Sequence, residues 1–408
     1  MTDTLKPCTA KEVEEAVQWA LGKGAALELV GRGSKRAIGR PAQSDLTLDL
    51  SGLNGVVLYE PQELVLSAQA GTPLAEIEAL LAAQGQHLAF EPIDYGMLLT
   101  GTAASGTIGG TLAANLAGPR RIAAGAARDH FLGFEAVSGR GEAFKSGGRV
   151  VKNVTGYDLC KLMAGSWGTL AALTTVTIKT LPRPQTQATV LLAGLNDATA
   201  VRAMTAAMAT SCDVSGAAHL PAALVGGLGL AAAGGRSLTL LRLEGVAPSV
   251  EHRKAALIAA MKAFGAVDAC EEATSGDLWR AVRDVKPFAA APEMAARPVW
   301  RIVTVPSRGA ELARMITATT EAEVLYDWAG GLVWVMLAPC DDAGTALVRR
   351  AVSACSGQAV LVRAPAATRA ASDVFSPQQA GLAGLTKRVK QGFDPKGVLN
   401  PGRMWAGV

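Results

Sequence analysis

Gly31-Arg32-Gly33-Ser34-Lys35-Arg36-Ala37-Ile38-Gly39 follows an expected strand, Ala26 to Val30, and the spacing of its glycines decides the fold. A dinucleotide-binding Rossmann turn requires G-x-G-x-x-G opening directly into a helix. Here the third glycine is misplaced and no clean helix follows, which disfavours that fold. The turn nevertheless has companions: Ser105 to Gly118 reads SGTIGGTLAANLAG, and Gly165-Ser166-Trp167-Gly168-Thr169-Leu170 is a third small-residue stretch. Segments dense in Gly, Ser and Thr bring main-chain N–H groups close to a large anionic ligand without intervening side chains. Each alone reads as an ordinary tight turn; together they describe one surface suited to a pyrophosphate. Lys35, Arg36 and Arg40 stand beside the first turn, either to offset phosphate charge or as solvated surface cations.

Composition narrows the function classes. The 408 residues are enough for two or three cores. Half are hydrophobic, 18% are charged and 45 are glycine, the profile of an ordered chain rich in turns. A net charge of +4, aromatics at 5% and no basic run of five argue against nucleic acid as a partner. Cys8, Cys160, Cys212, Cys270, Cys340 and Cys355 are scattered without a C-x-x-C pair, so they read as reduced cytosolic thiols with no iron–sulfur ligand set. No signal-peptide pattern opens the chain. The most apolar stretch, Leu220 to Gly235, is interrupted by Pro221 and glycines and reads as buried rather than as a membrane span.

Periodicity predicts a helix over Lys11 to Leu21, with Val13, Ala16, Val17, Ala20 and Leu21 on one face. Short strands follow at Ala26 to Val30, Leu46 to Leu50, Val56 to Tyr59 and Leu64 to Ala70, then a helix at Pro73 to Gln84. Beyond the glycine-rich region come strands at Phe131 to Val137 and Leu170 to Leu181, stopped by Pro182-Arg183-Pro184. This places domains at 1–182 and 183–375, with 376–408 as a returning C-terminal segment. Within the second domain, Val299 to Val305, Glu311 to Ala318, Val324 to Trp328, Leu332 to Leu337, Gly344 to Ala354 and Ala359 to Val362 read as the ferredoxin-like order βαββαβ. Residues 185 to about 270 are expected to add strands to the same sheet. The fold class is α+β.

Catalytic groups are sparse. His87, His130, His219 and His252 form no metal-binding arrangement, so no metal site is expected, and no G-x-S-x-G elbow supports a serine hydrolase. His130, beside the glycine-rich region, is the one weak catalytic candidate, against a plain structural role. Asp158 reads as a helix cap, and Arg120, Arg121 and Arg128 as cations facing an acidic group or surface partners. Hard chemistry must come from a cofactor.

These residues resemble the vanillyl-alcohol-oxidase family, whose FAD-binding domain is of the p-cresol-methylhydroxylase type. Gly31, Arg32, Gly33, Ser34 and Lys35 are similar to its first pyrophosphate loop. Gly101, Thr102, Gly106, Thr107, Gly109 and Gly110, with Asn115 and Gly118, are similar to its long FAD loop. Lys152 to Asp158, including Asn153, Gly156 and Asp158, resembles a stretch typical of the E subunits of bacterial glycolate oxidases. Gly165 to Leu170 resembles the family's G-S-E-G-T-L turn, the strand carrying Ile178 its adenine-side strand, and Phe393 to Arg403, with Asn400, its returning C-terminal segment.

The resemblance implies an FAD-binding subunit acting with a homologous FAD-binding D subunit and an iron–sulfur F subunit. Its implied reaction oxidises glycolate, a small 2-hydroxy acid, to glyoxylate, with electrons leaving through the cluster protein. The implied location is cytoplasmic, peripheral to the inner membrane through the complex. No His or Cys lies in Gly31 to Lys35, which implies non-covalent FAD; Trp167 stands where relatives often carry Glu, and the C-terminal half lacks the histidine cluster of the D subunits. Two alternatives remain open: an autonomous FAD-dependent 2-hydroxy-acid or alcohol dehydrogenase, and a structural subunit that keeps the fold without catalysis.

Overall fold

Thr9 starts the first helix, α1 (Ala10–Lys23), by accepting a hydrogen bond from the Glu12 N–H at 3.2 Å, and Gly24 in the left-handed conformation ends it. Its buried face, Val13, Val17 and Ala20, covers a small parallel sheet. The sheet comprises β1 (Asp3–Leu5), β2 (Leu27–Val30) and β3 (Leu46–Asp49), with β3 central. The computed structural model describes residues 3–101, 103, 106–149, 156–226, 235–289 and 294–408.

A second, antiparallel sheet is built from β4 (Val56–Glu60), β5 (Val65–Gln69), β6 (Phe131–Ser138), β7 (Ala143–Gly147) and β8 (Ala171–Lys179), in the order β4-β5-β8-β6-β7. Helix α2 (Leu74–Ala83) buries Leu74, Ile77 and Leu81 in the same core as Leu66, Ala68, Val176 and Ile178. Between α2 and β6 the described part of the glycine-rich stretch forms a short helix, α3 (Ile108–Ala113), capped by Thr107, with further short helices at Gly96–Thr100, Arg121–Ala124 and Ala127–His130. Leu181–Pro182 pairs with Gln86–His87 before the chain leaves this part of the molecule.

The remaining strands form one eight-stranded antiparallel sheet. Its first half is β9 (Thr186–Ala193), α4 (Asp197–Met208), β10 (Gly216–Leu220), β11 (Leu238–Gly245), α5 (Ala247–Met261) and β12 (Val267–Glu271). Its second is β13 (Val299–Val303), α6 (Gly309–Thr317), β14 (Ala322–Asp327), β15 (Leu332–Leu337), α7 (Thr345–Ala354) and β16 (Gln358–Arg363). The spatial order β12-β9-β11-β10-β14-β15-β13-β16 makes two ferredoxin-like units joined edge to edge, where His219 pairs with Tyr326. Residues 186–271 therefore repeat the whole βαββαβ unit, of which the sequence pattern shows a strand at Ala188 to Leu192, a helix at Ala198 to Met208, a strand at Leu238 to Leu243 and a helix at His252 to Phe264, but not the strands Gly216–Leu220 and Val267–Glu271. The repeat is hidden because different apolar residues satisfy the same two-faced burial.

The two faces of this sheet have separate functions. Val190, Leu241, Trp300, Ile302 and Val335 point into the core beneath α4 to α7. Leu240, Val299, Leu325, Trp334 and Met336 point the other way, onto Ile38, Ile93, Tyr95, Leu98 and Leu116 of the N-terminal part. A last helix, α8 (Ala380–Phe393), brings the C-terminus back to β2, where Leu27 pairs with Leu399. No helix among the described residues is long and apolar enough to cross a membrane.

Candidate functional site

The end of β2, the following turn, α3, the Trp167-Gly168 turn, the start of β8 and the C-terminal segment enclose a cleft of about 720 Å³. Gly31, Arg32, Gly33, Ser34, Lys35, Thr107, Gly109, Gly110 and Asn400 all line it, as does Trp167. Ser34 and Lys35 also wall a second chamber of about 470 Å³, lined further by Glu78, Asp94, Tyr95, Gly106, Thr111 and Arg283. The three small-residue loops thus do converge, around a cleft that shares the wall formed by Ser34 and Lys35 with a second chamber.

Glycine is required here first by loop-on-loop contact. A Cβ at Gly31 would lie 2.6 Å from Thr107 Oγ1, and one at Gly109 would lie 2.7 Å from the Ala70 Cβ and 2.8 Å from its carbonyl oxygen. Gly33, at φ +73°, faces open space instead. Gly109→Val is expected to displace α3 from β5 and to reduce flavin content of the purified chain at least tenfold, read from its absorbance spectrum.

Lys35 is the cation common to both chambers. Burial pulls its ammonium down to about 8, against the upward pull of Asp94, and its side chain donates to Ser34 Oγ at 3.0 Å. Arg36 is not available in the same way: it pairs with the buried Glu28. The Thr111 hydroxyl is fully buried without a hydrogen-bond partner and lines the second chamber, and Arg403 Nε is likewise unmatched beside the first. Unmatched buried polar atoms carry a cost that a polar ligand would remove. Together with Lys35 and the small-residue walls, they fit an anionic dinucleotide.

Other expected site residues take different places. Asn400 borders the cleft, but its amide is committed to the main chain, accepting from Leu29 N–H at 2.8 Å and donating to the Trp167 carbonyl at 2.8 Å. Its part is to hold three segments together. Asn115 accepts from the Arg128 N–H at 3.0 Å, Asp158 caps its helix by accepting from Lys161 N–H, and Gly101 ends the Gly96–Thr100 helix. None of these three, nor Gly156, lines either chamber. Ile178 is wholly buried between β5 and β6; Ala171, Ala172 and Leu173, earlier on the same strand, reach the cleft instead. Thr102 and Asn153 lie outside the described residues.

His130 is buried at 1% exposure, its Nε2 paired with the Ala124 carbonyl at 2.9 Å and its ring tilted against Phe90. Burial pushes its pKa down, and it lines neither chamber, so its surroundings are those of a neutral packing residue. Arg403, by contrast, was not marked by sequence reasoning as a ligand contact. It stacks over Trp167 at 5.7 Å and donates to the Lys35 carbonyl at 2.9 Å. Its position three residues after Asn400 was the available signal.

Residues 4–147 match a family model described as an FAD binding domain. Over 393 residues the chain is 34% identical to glycolate oxidase subunit GlcE of Escherichia coli, covering 96% of each protein. It is 30% identical over 184 residues to glycolate oxidase subunit GlcD of Bacillus subtilis, covering 45% of this chain and 36% of that one. Among solved structures, p-cresol methylhydroxylase aligns with a TM-score of 0.72 at 13% identity, over 99% of this chain and 88% of the other, a likeness of fold.

Proposed function

Since the chain belongs to the p-cresol-methylhydroxylase-type FAD-binding flavoproteins, together with GlcE, we propose that it oxidises a small 2-hydroxy acid, glycolate to glyoxylate, as one subunit of a hetero-oligomer. Its partners in this reading are a homologous FAD-binding subunit and an iron–sulfur subunit that carries electrons onward. The observation that supports the reading most is the cleft built by three small-residue loops in a chain of which GlcE matches 96%. We also place the domain division at 182, with residues 376–408 serving the first domain, because Asn400 and Arg403 border its cleft.

Bound FAD supplies the two-electron acceptor chemistry, and this chain's residues hold and orient it. Gly31 to Lys35, Gly106, Thr107, Gly109 and Gly110 border the hollow, Lys35 offsets phosphate charge, and Thr111 and Arg403 offer unmatched polar atoms. Trp167 adds an apolar wall. The cofactor is held without a covalent bond, so acid precipitation of the yellow protein should leave all flavin in the supernatant; flavin retained in the pellet would contradict this.

Lys35→Met should weaken FAD binding about 10- to 100-fold, the scale of a charge-assisted contact. Because the free ammonium has a pKa of about 8 and phosphate would raise it, binding takes up a proton above that pH. Affinity should therefore fall as pH rises past about 8 in the parent protein and stay flat in Lys35→Met, measured by titrating FAD into the stripped chain. Glycolate oxidation with an artificial acceptor should appear only on adding the two partner subunits; turnover by the single chain would favour an autonomous dehydrogenase.

A further inference from the structure

The returning helix α8 (Ala380–Phe393) is held almost entirely by one end. Lys390 is its one buried side chain, bonded to Asp394 and to the carbonyls of Thr169 and Leu399. Val389 and Phe393 pack against the core of the second sheet, where Phe393 meets the Phe144 ring at 5.8 Å. The two turns before Lys387 lack such support: Gly381, Leu382 and Leu385 are exposed, the leucines at 50% and 49%. A helix of 14 residues is marginal by itself in water, and Gly381 and Gly384 in its interior weaken it further.

Helical spacing gathers what is left uncovered. Gly381, Gly384, Leu385 and Arg388 follow one another at i, i+3, i+4 and i+7 on one face, with Leu382 beside Leu385. A Cβ at Gly381 would meet nothing within 4 Å, and one at Gly384 only the tip of the Arg388 side chain at 3.6 Å. Packing within this chain therefore does not require either glycine; their small size leaves room for another backbone to come close. The surface is also cationic. No Asp or Glu occurs from Val374 to Phe393, and Lys387 and Arg388 have no hydrogen bond or ion pair with any described residue. Arg140, whose Nε donates to the Gly392 carbonyl at 2.9 Å, adds a further positive charge at the helix end.

This face adjoins the cleft. Through Thr169, Lys390 ties α8 to the turn that carries Trp167, and the helix leads into the segment whose Asn400 and Arg403 border the cleft. A second copy of this chain is a poor cover, because the same face on both sides brings cations against cations. A bilayer is a poor match as well: the face offers two leucines and no aromatic residue, whereas a helix lying in a membrane interface needs a broad apolar side. An acidic protein surface with an apolar centre suits both the charge and the leucines.

We propose that the exposed face of α8, formed by Gly381, Leu382, Gly384, Leu385 and Arg388 with Lys387 at its margin, is where the iron–sulfur subunit docks through an acidic surface. The assignment rests on the reading above, in which that subunit carries the electrons onward; of the two partners, it is the one that has to approach the cleft. Docking covers the two unsupported turns. Through Lys390 and Asp394 it also braces the segment that carries Asn400 and Arg403.

The test uses the full chain co-produced with both partner subunits, carrying the photoreactive p-benzoylphenylalanine at position 385. Irradiation should link it to the iron–sulfur subunit, identified by mass spectrometry; links only to the flavin-binding subunit or to a second copy, or none in the assembled complex, would overturn the site. Titration of the purified iron–sulfur subunit gives the second readout. Its dissociation constant should rise about 10- to 100-fold when Leu382→Asp and Leu385→Asp are combined. It should rise about 10-fold, with a flatter salt dependence, when Lys387→Glu and Arg388→Glu are combined. The flavin band and melting temperature of each variant alone should match the parent, because all four side chains are exposed. Parent-like affinity in both double variants overturns the docking site and leaves the complex standing, whereas a parent chain that binds neither subunit overturns the complex and the site with it. Cosedimentation with phosphatidylglycerol–phosphatidylethanolamine vesicles that the leucine changes abolish, with subunit binding intact, would assign the face to a membrane instead.

Discussion

Asp394→Ala is expected to cost about 3–5 kcal/mol of unfolding free energy at neutral pH, the range for removing one partner of a buried ion pair. Lys390 Nζ sits 2.7 Å from Asp394 Oδ2 and also donates to the carbonyls of Thr169 and Leu399, with both side chains almost sealed from solvent. The carboxylate in turn accepts from the N–H groups of Val398 and Leu399, each at 2.8 Å. Burial outweighs the carboxylate and already lowers the lysine's pKa, so without Asp394 its charge has only carbonyls to meet it. The same change should free the segment carrying Asn400 and Arg403, and flavin retention should decline with it. Urea unfolding followed by circular dichroism, with flavin content read in parallel, measures both. A loss below 1 kcal/mol would show that the returning segment is held by its apolar contacts alone.

Arg242→Met should have an effect of the same size, about 3–5 kcal/mol, at the junction of the domains. Arg242 grips Glu91 with two hydrogen bonds of 2.9 and 3.0 Å, Arg120 grips Glu244 with two of 3.0 and 2.9 Å, and Arg242 also stacks over Trp279 at 4.6 Å. Two of the four come from each side of the junction, so the network sets how the sheet sits on the N-terminal domain. Burial alone would raise both carboxyls, but the guanidiniums outweigh it and hold Glu91 and Glu244 at about 2. Both remain charged in the folded protein while the unfolded chain takes up protons below about 4.5. Their contribution is therefore complete above that pH and is lost as pH falls toward 2.

His87, beside this network, is pushed down to about 4 by burial and by Arg120. Between about 6.5 and 4 the unfolded state binds its proton and the folded state does not, so acidification lowers stability there too. Urea midpoints across pH should accordingly fall in two stages. His87→Phe should shrink the upper stage, leaving the part that the buried His130 contributes, and Arg242→Met should shrink the lower one.

How far residues reveal their own roles differs along the chain. The Gly31 to Lys35 turn and Thr107 to Gly110 are legible because small residues are chosen for what the backbone must do locally. The βαββαβ order of residues 299–362 is legible because its strands and helices carry clear periodicities. Its twin at 186–271 was legible only in part, as two strands and two helices, and its kinship with the first was not, since a fold can be repeated by different apolar side chains in the same alternation. Ile178 misleads for a related reason: on a strand, being the right type in the right motif does not say which end of the strand reaches the ligand. Asn400 borders the cleft, but its amide serves the Leu29 and Trp167 backbone.

The sequence by itself determined the α+β fold and a surface for a large anionic ligand, because both depend on local period and loop composition, which neighbouring residues set among themselves; that this ligand is FAD followed from the resemblance to a family. Tertiary structure alone decided which arginines are spent and which are free. Arg120 and Arg121 are adjacent and chemically identical, yet one is mostly buried and locked to Glu244 while the other is exposed and lies over the Trp328 ring, with no close ion pair among the described residues. That difference arises from partners more than a hundred residues away, whose positions are fixed only when the sheet packs onto the glycine-rich loop.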